Sequence, residues 1–338
     1  MSDTTAQLID HTARGTAPYQ HKVAVLIPCY NEAIAIGAVV RNFKAALPNS
    51  IVYVYDNNSK DATKEKAREA GAVVRVEALQ GKGHVVRRMF ADVEADVYVL
   101  VDGDSTYDAE AVNDMIDMLL AENLDMVTGT RMHEAADAYR AGHQFGNAVL
   151  TGAVRLVFGA RISDMLSGYR VFSRRFVKSF PAVSSGFETE TELTVHALEL
   201  RMPLGEQVTR YVARPIGSQS KLHTIRDGMR IGRTIVRLIK EERPLQFFLV
   251  ISGVLFVTGM DLGLSLVPEY MATGKVPRFP TAILATGTVL LSFLMLASGL
   301  ILDSVALARR EIKRLLYLSL PAPGDAGHRA RGKQYEMI

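Results

Sequence analysis

The sequence predicts an α/β fold: a Rossmann-like, doubly wound and mostly parallel sheet, followed by a pair of transmembrane helices at its C-terminal side. Three observations lead there. Short apolar segments without polar alternation recur between residues 21 and 130, the pattern of strands covered on both faces. A helically patterned stretch follows each of them, as in successive βαβ units. Two long apolar runs then lie beyond residue 244, longer than any strand.

The elements follow in order. Residues 1–20, MSDTTAQLIDHTARGTAPYQ, contain no apolar core of signal-peptide type. They are expected to form a disordered leader that stays in the cytoplasm. KVAVLIP is the first strand, and Asn31-Glu32 opens a helix over Ala33–Ala46. IVYVYD is the second strand, with a helix over Asp61–Ala70, and AVVRVE the third, with a helix over Gly83–Ala95. VYVLVD, a helix over Asp108–Glu122, and the strand DMVTGT complete the array. This soluble domain is expected to span 21–222.

Residues 223–243 read as a juxtamembrane amphipathic helix. Arg226, Arg230, Arg233, Arg237 and Lys240 form one basic stripe at helical spacing. LQFFLVISGVLFVTGMDLGLSLV (245–267) and FPTAILATGTVLLSFLMLASGLIL (279–302) are each long enough to cross a bilayer core, which takes about 20 residues. The eleven residues between them are too few for a domain. A transmembrane hairpin over 244–303 results, with a basic tail over 304–338. Lys and Arg flank the hairpin on both sides, so the positive-inside rule places both flanks, and the soluble domain, on the cytoplasmic face of the inner or plasma membrane. Asp261, within the first span, is costly in lipid unless it faces another helix. A homo-oligomer, such as a tetramer, is expected from it.

Composition excludes several classes. A net charge of +3 and a pI near 8.9 give no bulk signal for nucleic acid. The single cysteine, Cys29, allows no internal disulfide. There is no GxGxxG after the first strand and no GxxxxGK[ST], which disfavours a dinucleotide dehydrogenase and a P-loop enzyme. The histidines show no zinc spacing.

Polar clusters follow the strands: Pro28-Cys29-Tyr30-Asn31-Glu32, Asp56-Asn57-Asn58-Ser59, Gln80-Gly81-Lys82-Gly83 and Asp102-Gly103-Asp104. In such sheets ligands sit beyond the carboxyl ends of the strands, so this rim is the expected site. Two carboxylates at i and i+2 repel unless a cation lies beside them. Mg²⁺ or Mn²⁺ is suited, being held by one or two carboxylates plus substrate phosphates. Gly103 is expected to let a ligand approach the backbone.

PCYNE, DNNSKDAT, QGKG and VDGDSTYD, in this order, resemble glycosyltransferase family 2, which has the GT-A fold. DMLSGYRVFS, GFETETEL, RPIGSQSKL and the hairpin that follows resemble its polyprenyl-phosphate glycosyltransferases, such as dolichol-phosphate mannose synthase. The resemblance covers about residues 21–310. It implies a nucleotide-sugar pocket lined by Pro28, Tyr30, Asn31, Glu32, Asp56, Asn58, Gly81, Lys82, Asp102 and Gly103. It implies a metal on Asp102 and Asp104, and Arg214, Ser220 and Lys221 closing over phosphates. Asp164 and Asp104 are the candidate catalytic carboxylates, with Glu188 and Glu190 as alternatives to Asp164. Arg131, Ser167 and Arg170 are candidates for the acceptor phosphate.

The implied reaction is a single inverting displacement from a nucleotide sugar, UDP-glucose, to undecaprenyl phosphate. GDP-mannose with a dolichol-type lipid is the alternative. A phosphate monoester is largely dianionic at neutral pH, with its second pKa about 6, so no strong general base is required. A processive polysaccharide synthase is disfavoured, because its Q-x-x-R-W signature needs a tryptophan that this chain lacks. A non-catalytic scaffold for a flippase is the remaining class, and the intact Asp-Gly-Asp speaks against it.

Overall fold

A computed structural model describes residues 21–133, 152, 163–182, 186, 188–215, 232–233, 236–237, 239–241 and 243–323. The first half alternates as the sequence predicts: β1 (Val23–Cys29), α1 (Ile36–Ala46), β2 (Ile51–Asp56), α2 (Thr63–Glu69), β3 (Val73–Val76), α3 (Lys82–Asp92), β4 (Val97–Leu100), α4 (Ala111–Ala121) and β5 (Met126–His133). Then come β6 (Arg170–Ser173), α5 (Arg174–Ser179), α6 (Thr189–Glu199) and β7 (Leu204–Tyr211). The strands form one sheet in the order β3-β2-β1-β4-β6-β5-β7. β6 alone runs antiparallel to its neighbours β4 and β5.

Alternation along the central strands builds two cores. Val23, Val25 and Ile27 of β1 join Phe43 and Ile116 on one face. Ala24 and Leu26 join Phe90 and Phe172 on the other. The helices meet these faces with matching stripes: Ile36, Val39, Val40 and Phe43 of α1 are buried at i, i+3, i+4 and i+7, as are Val112, Met115, Ile116 and Leu119 of α4. Each such side chain stabilises the fold by about 1.5–3 kcal/mol when fully buried.

The apolar runs form α7 (Pro244–Leu264), α8 (Val267–Thr273) and α9 (Phe279–Leu318). Both α7 and α9 are long and apolar enough to cross a membrane. Small residues make their seam: Ala285, Ser292, Gly299 and Ala306 of α9 are buried at seven-residue intervals, and Ser252 of α7 donates 2.8 Å to the Ser292 carbonyl. The outer faces carry exposed Leu249, Val250, Val254, Leu290, Leu294 and Ile301, which a core helix of a soluble protein would cover.

α9 differs from expectation. It does not end at residue 302 but continues to Leu318 through residues expected to form a tail. No proline or glycine interrupts residues 303–320, and Pro321 follows the helix end. Its last turns dock on the α/β domain: Lys313 pairs with Glu199 at 2.7 Å, and the Tyr317 hydroxyl donates 2.7 Å to Asp125.

Candidate active site

The polar clusters meet on one rim. Asp56, at the end of β2, is fully buried. One carboxylate oxygen accepts from the Ser59 amide at 3.1 Å, and the other has no partner among the described residues. Asn31 adopts a left-handed backbone (φ 53°), its amide donating 2.8 Å to Ser59 Oγ. The Glu32 amide donates 2.8 Å to Thr63 Oγ1. Pro28 and Tyr30 lie at the same strand end, half-buried.

Asn57, named in the rim cluster but given no role by sequence, holds a loop in place. Its amide nitrogen donates to the carbonyls of Glu77 and Leu79 at 2.9 and 2.8 Å, and its oxygen accepts from the Gly81 amide at 2.7 Å. It fixes the loop that leads into α3. Asn58, in a left-handed conformation (φ 64°) that Asn tolerates, donates to Ala78 O and Gln80 Oε1. Its side chain clasps the same loop.

Gly81 precedes α3, which begins at Lys82. Lys82 reaches across the rim: Nζ lies 2.5 Å from Asp102 Oδ1 and pairs also with Glu190 at the first turn of α6. Burial alone would lower the Lys82 pKa, but the charges of Asp102 and Glu190 outweigh it and hold the ammonium above the ordinary lysine value. Asp104 is buried, and Thr106 donates to its Oδ1 through both hydroxyl (2.6 Å) and amide (3.2 Å). Arg214 pairs with Asp104 Oδ2 at 2.6 Å and approaches Glu32 at 3.8 Å. Burial, and the neighbouring Asp102 charge, raise the Asp104 pKa despite that arginine.

Two glycines press on this pair. A methyl group on Gly168 would overlap the Asp102 carboxylate. At Gly103 it would lie 2.5 Å from the Cys29 sulfur and 3.4 Å from Ile27. Gly103 therefore packs closely against the core, where a side chain would meet Cys29 and Ile27. Cys29 is a buried space-filling thiol.

Asp164 and Arg131, assigned separate roles by sequence, form one bidentate pair, with Nε and Nη2 each 2.7 Å from a carboxylate oxygen. The guanidinium also lies over the Tyr211 ring, 5.6 Å from its centroid. Tyr211 stacks edge-on with Tyr107, whose hydroxyl accepts from the Gly168 amide at 2.9 Å. Ser167 and Arg170 belong elsewhere. Ser167 is fully buried and donates 2.6 Å to the Gly129 carbonyl. Arg170 is fully buried, its fork spent on Ser167 O, Met165 O and Thr194 Oγ1 at 3.1, 2.7 and 2.8 Å. Neither presents a group to an acceptor phosphate. Glu188 has a carboxylate oxygen buried without a partner among the described residues. Ser220 and Lys221 lie outside the described residues.

Among the described residues no three His, Cys, Asp or Glu side chains converge as a metal cage. The Asp102/Asp104 pair nevertheless fits a hard divalent cation. It supplies two carboxylates whose mutual repulsion is visible at Asp104, and Asp102 keeps 30% of its side chain open. Such ions take one or two carboxylates and complete their shell with phosphate and water.

Residues 24–180 match the family described as Glycosyl transferase family 2. Glycosyltransferase AglJ of Haloferax volcanii is 32% identical over 302 residues, covering 88% of this chain and 98% of the relative. The chain belongs to glycosyltransferase family 2. A second relative from the same organism, a dolichyl-phosphate hexose transferase, is 28% identical over 222 residues, covering 65% of this chain and 95% of its own. Among solved structures, glucosyl-3-phosphoglycerate synthase of M. tuberculosis, crystallised with Mn²⁺, UDP-glucose and phosphoglyceric acid, superposes with a TM-score of 0.52 at 21% identity, over 65% of this chain and 79% of that one. That likeness shows the GT-A fold. As a family 2 member the chain is a glycosyltransferase, and the resemblance read from PCYNE through VDGDSTYD is borne out.

Proposed function

We propose that this glycosyltransferase moves a sugar, with inversion, from a nucleotide sugar to a polyprenyl phosphate. The observation that carries the reading is the union, in one chain, of the Asp102/Asp104 rim with a long apolar hairpin. Relatives named dolichyl-phosphate hexose transferase and dolichol-phosphate mannosyltransferase support the lipid acceptor. The solved structure bound to UDP-glucose favours a UDP-sugar donor, and UDP-glucose with undecaprenyl phosphate is the specific assignment. On this reading residues 21–222 form the catalytic domain, held on the cytoplasmic face by the hairpin over 244–303.

Asp56, with its unpartnered buried oxygen, would accept from the base. Asp102 and Asp104 would hold Mg²⁺ or Mn²⁺, which when bound supplies neutralising charge to the departing diphosphate. Lys82 and Arg214 stand within reach of the same charge. Arg131, braced by Asp164, is the cation assigned to the acceptor phosphate. Asp164 is neutralised by that pairing, which suits a nucleophile that arrives already ionised.

The test is a transfer assay on the purified protein in detergent with undecaprenyl phosphate and labelled UDP-glucose, UDP-galactose or GDP-mannose. Organic-phase label that EDTA abolishes is expected from UDP-glucose. Label from GDP-mannose alone replaces the donor assignment, and label from no donor, with nucleotide bound, sinks the transferase-to-lipid reading.

A further inference from the structure

Each carboxylate of the Asp-Gly-Asp turn already has a cation of the protein's own. Asp102 faces Lys82 at 2.5 Å, and Asp104 faces Arg214 at 2.6 Å. Both cations have a second acidic partner: Glu190 for Lys82 and Glu32 for Arg214. Lys82 keeps only 9% of its side chain exposed, and Glu190 only 7%. Among the described residues, four carboxylates and two cations therefore share one rim, with a net charge of −2, and each of these charges has a partner at close range.

We propose that Lys82 and Arg214 are resident counter-ions of Asp102 and Asp104, and that they exclude a divalent cation until a nucleoside diphosphate arrives. This inference rests on the metal reading given above. Its logic is competition for the same oxygens. A metal alone must break both ion pairs to reach the carboxylate oxygens, and it offers the displaced cations no new anionic partner. A metal that enters with a nucleoside diphosphate brings phosphate oxygens with it. Lys82 and Arg214 then release the carboxylates and turn to those phosphate oxygens, which ammonium and guanidinium both bind. Glu190 is a positioning residue in this scheme: it retains Lys82 at the rim while Asp102 changes partner.

The probe is Mn²⁺ alone, titrated into the full-length protein in detergent, with the free ion read by EPR. Wild-type protein is expected to bind Mn²⁺ weakly until UDP is added. Lys82→Met and Arg214→Gln are each expected to bind Mn²⁺ alone at least about tenfold more tightly than wild type, a factor equivalent to about 1.4 kcal/mol. Circular dichroism reports whether Lys82→Met folds. If it does not, Arg214→Gln, altered at a side chain 28% exposed, carries the test. Wild-type binding of Mn²⁺ alone as tight as that of the folded variants overturns the proposal. Absence of Mn²⁺ binding in every arm, UDP included, overturns the metal reading itself, and the two failures are thus distinct.

Discussion

Replacing Arg170 by methionine separates the two roles that a lone arginine in this motif can have. The side chain is fully buried between β6 and α6, and it supplies the donors for two carbonyls, Met165 O at 2.7 Å and Ser167 O at 3.1 Å. Burial holds its pKa below the ordinary arginine value. Methionine fills much of the volume but leaves both carbonyls and Thr194 Oγ1 short of a donor. Each buried group left unsatisfied costs about 1–3 kcal/mol, and the arginine's own desolvation is recovered in part. A net loss of about 2–4 kcal/mol follows. For a domain of this size that lowers Tm by about 6–12 °C. Thermal unfolding in detergent, followed by far-ultraviolet circular dichroism, measures it. An unchanged Tm together with a raised KM for the lipid would place Arg170 at the acceptor and refute the packing argument.

Three further outcomes are expected. Asp104→Asn should lower kcat/KM at least about 100-fold, the scale for losing one group that stabilises developing charge; activity within threefold of wild type in the transfer assay would remove Asp104 from the reaction. His196 is buried beside Phe176 and Phe180, and burial, with the Lys313 charge, lowers its pKa to about 3. The unfolded chain takes up a proton near pH 6.5 that the folded one refuses, so stability falls as pH drops below 6.5 toward 3, by about 2 kcal/mol at pH 5; His196→Phe should flatten that slope in urea titrations, and an unaltered slope would assign it to other groups. Tyr317→Phe deletes the hydrogen bond to Asp125, weakening the docking of α9 by about 1 kcal/mol; trypsin cleavage at Arg309, Arg310 and Lys313 should accelerate, and equal rates would show that the hydroxyl does not secure the helix.

The strands and the rim were legible because they rest on local rules. Two-face burial makes β1 and β4 apolar throughout, and a parallel sheet puts its polar residues after the strand ends. Lys82 and Asp102 could be placed together on that ground alone. What escaped depends on contacts across the chain. Nothing in DMLSGYRVFS distinguishes an arginine that meets a phosphate from one that ties Met165, Ser167 and Thr194 together inside the domain. The antiparallel β6 escaped for a similar reason, since a four-residue strand within a motif has no periodicity to read. The close packing at Gly103 escaped because the atom it faces, the Cys29 sulfur, sits on a neighbouring strand. Asn57 offered one usable signal: an Asn beside Asp56, ahead of a Gly-containing loop, can bridge backbone donors and acceptors at once.

The course of α9 adds a constraint that neither half of the molecule imposes alone. β4 and β5 both run antiparallel to β6, so β5 begins on the rim where β4 begins. Asp125, which receives Tyr317, thus lies opposite the rim that carries Asp102, at a separation of about 17 Å for five residues of strand. The carboxylate there is saturated by Ser173 (2.6 Å), Arg175 (2.5 and 2.9 Å) and Tyr317 (2.7 Å). Arg175 also stacks on the Tyr317 ring at 4.8 Å. One uninterrupted helix therefore leads from the apolar hairpin to the rim of the sheet opposite Asp102. A flexible linker would let the domain sample many heights and tilts, and each encounter with an acceptor held in a membrane, as proposed, would carry the entropy of that search. A docked helix removes those freedoms before substrate binds, which is how orientation lowers a barrier. If the acceptor is the lipid phosphate proposed above, the grip of Asp125 and Glu199 on α9 serves the orientation of the domain as well as its stability.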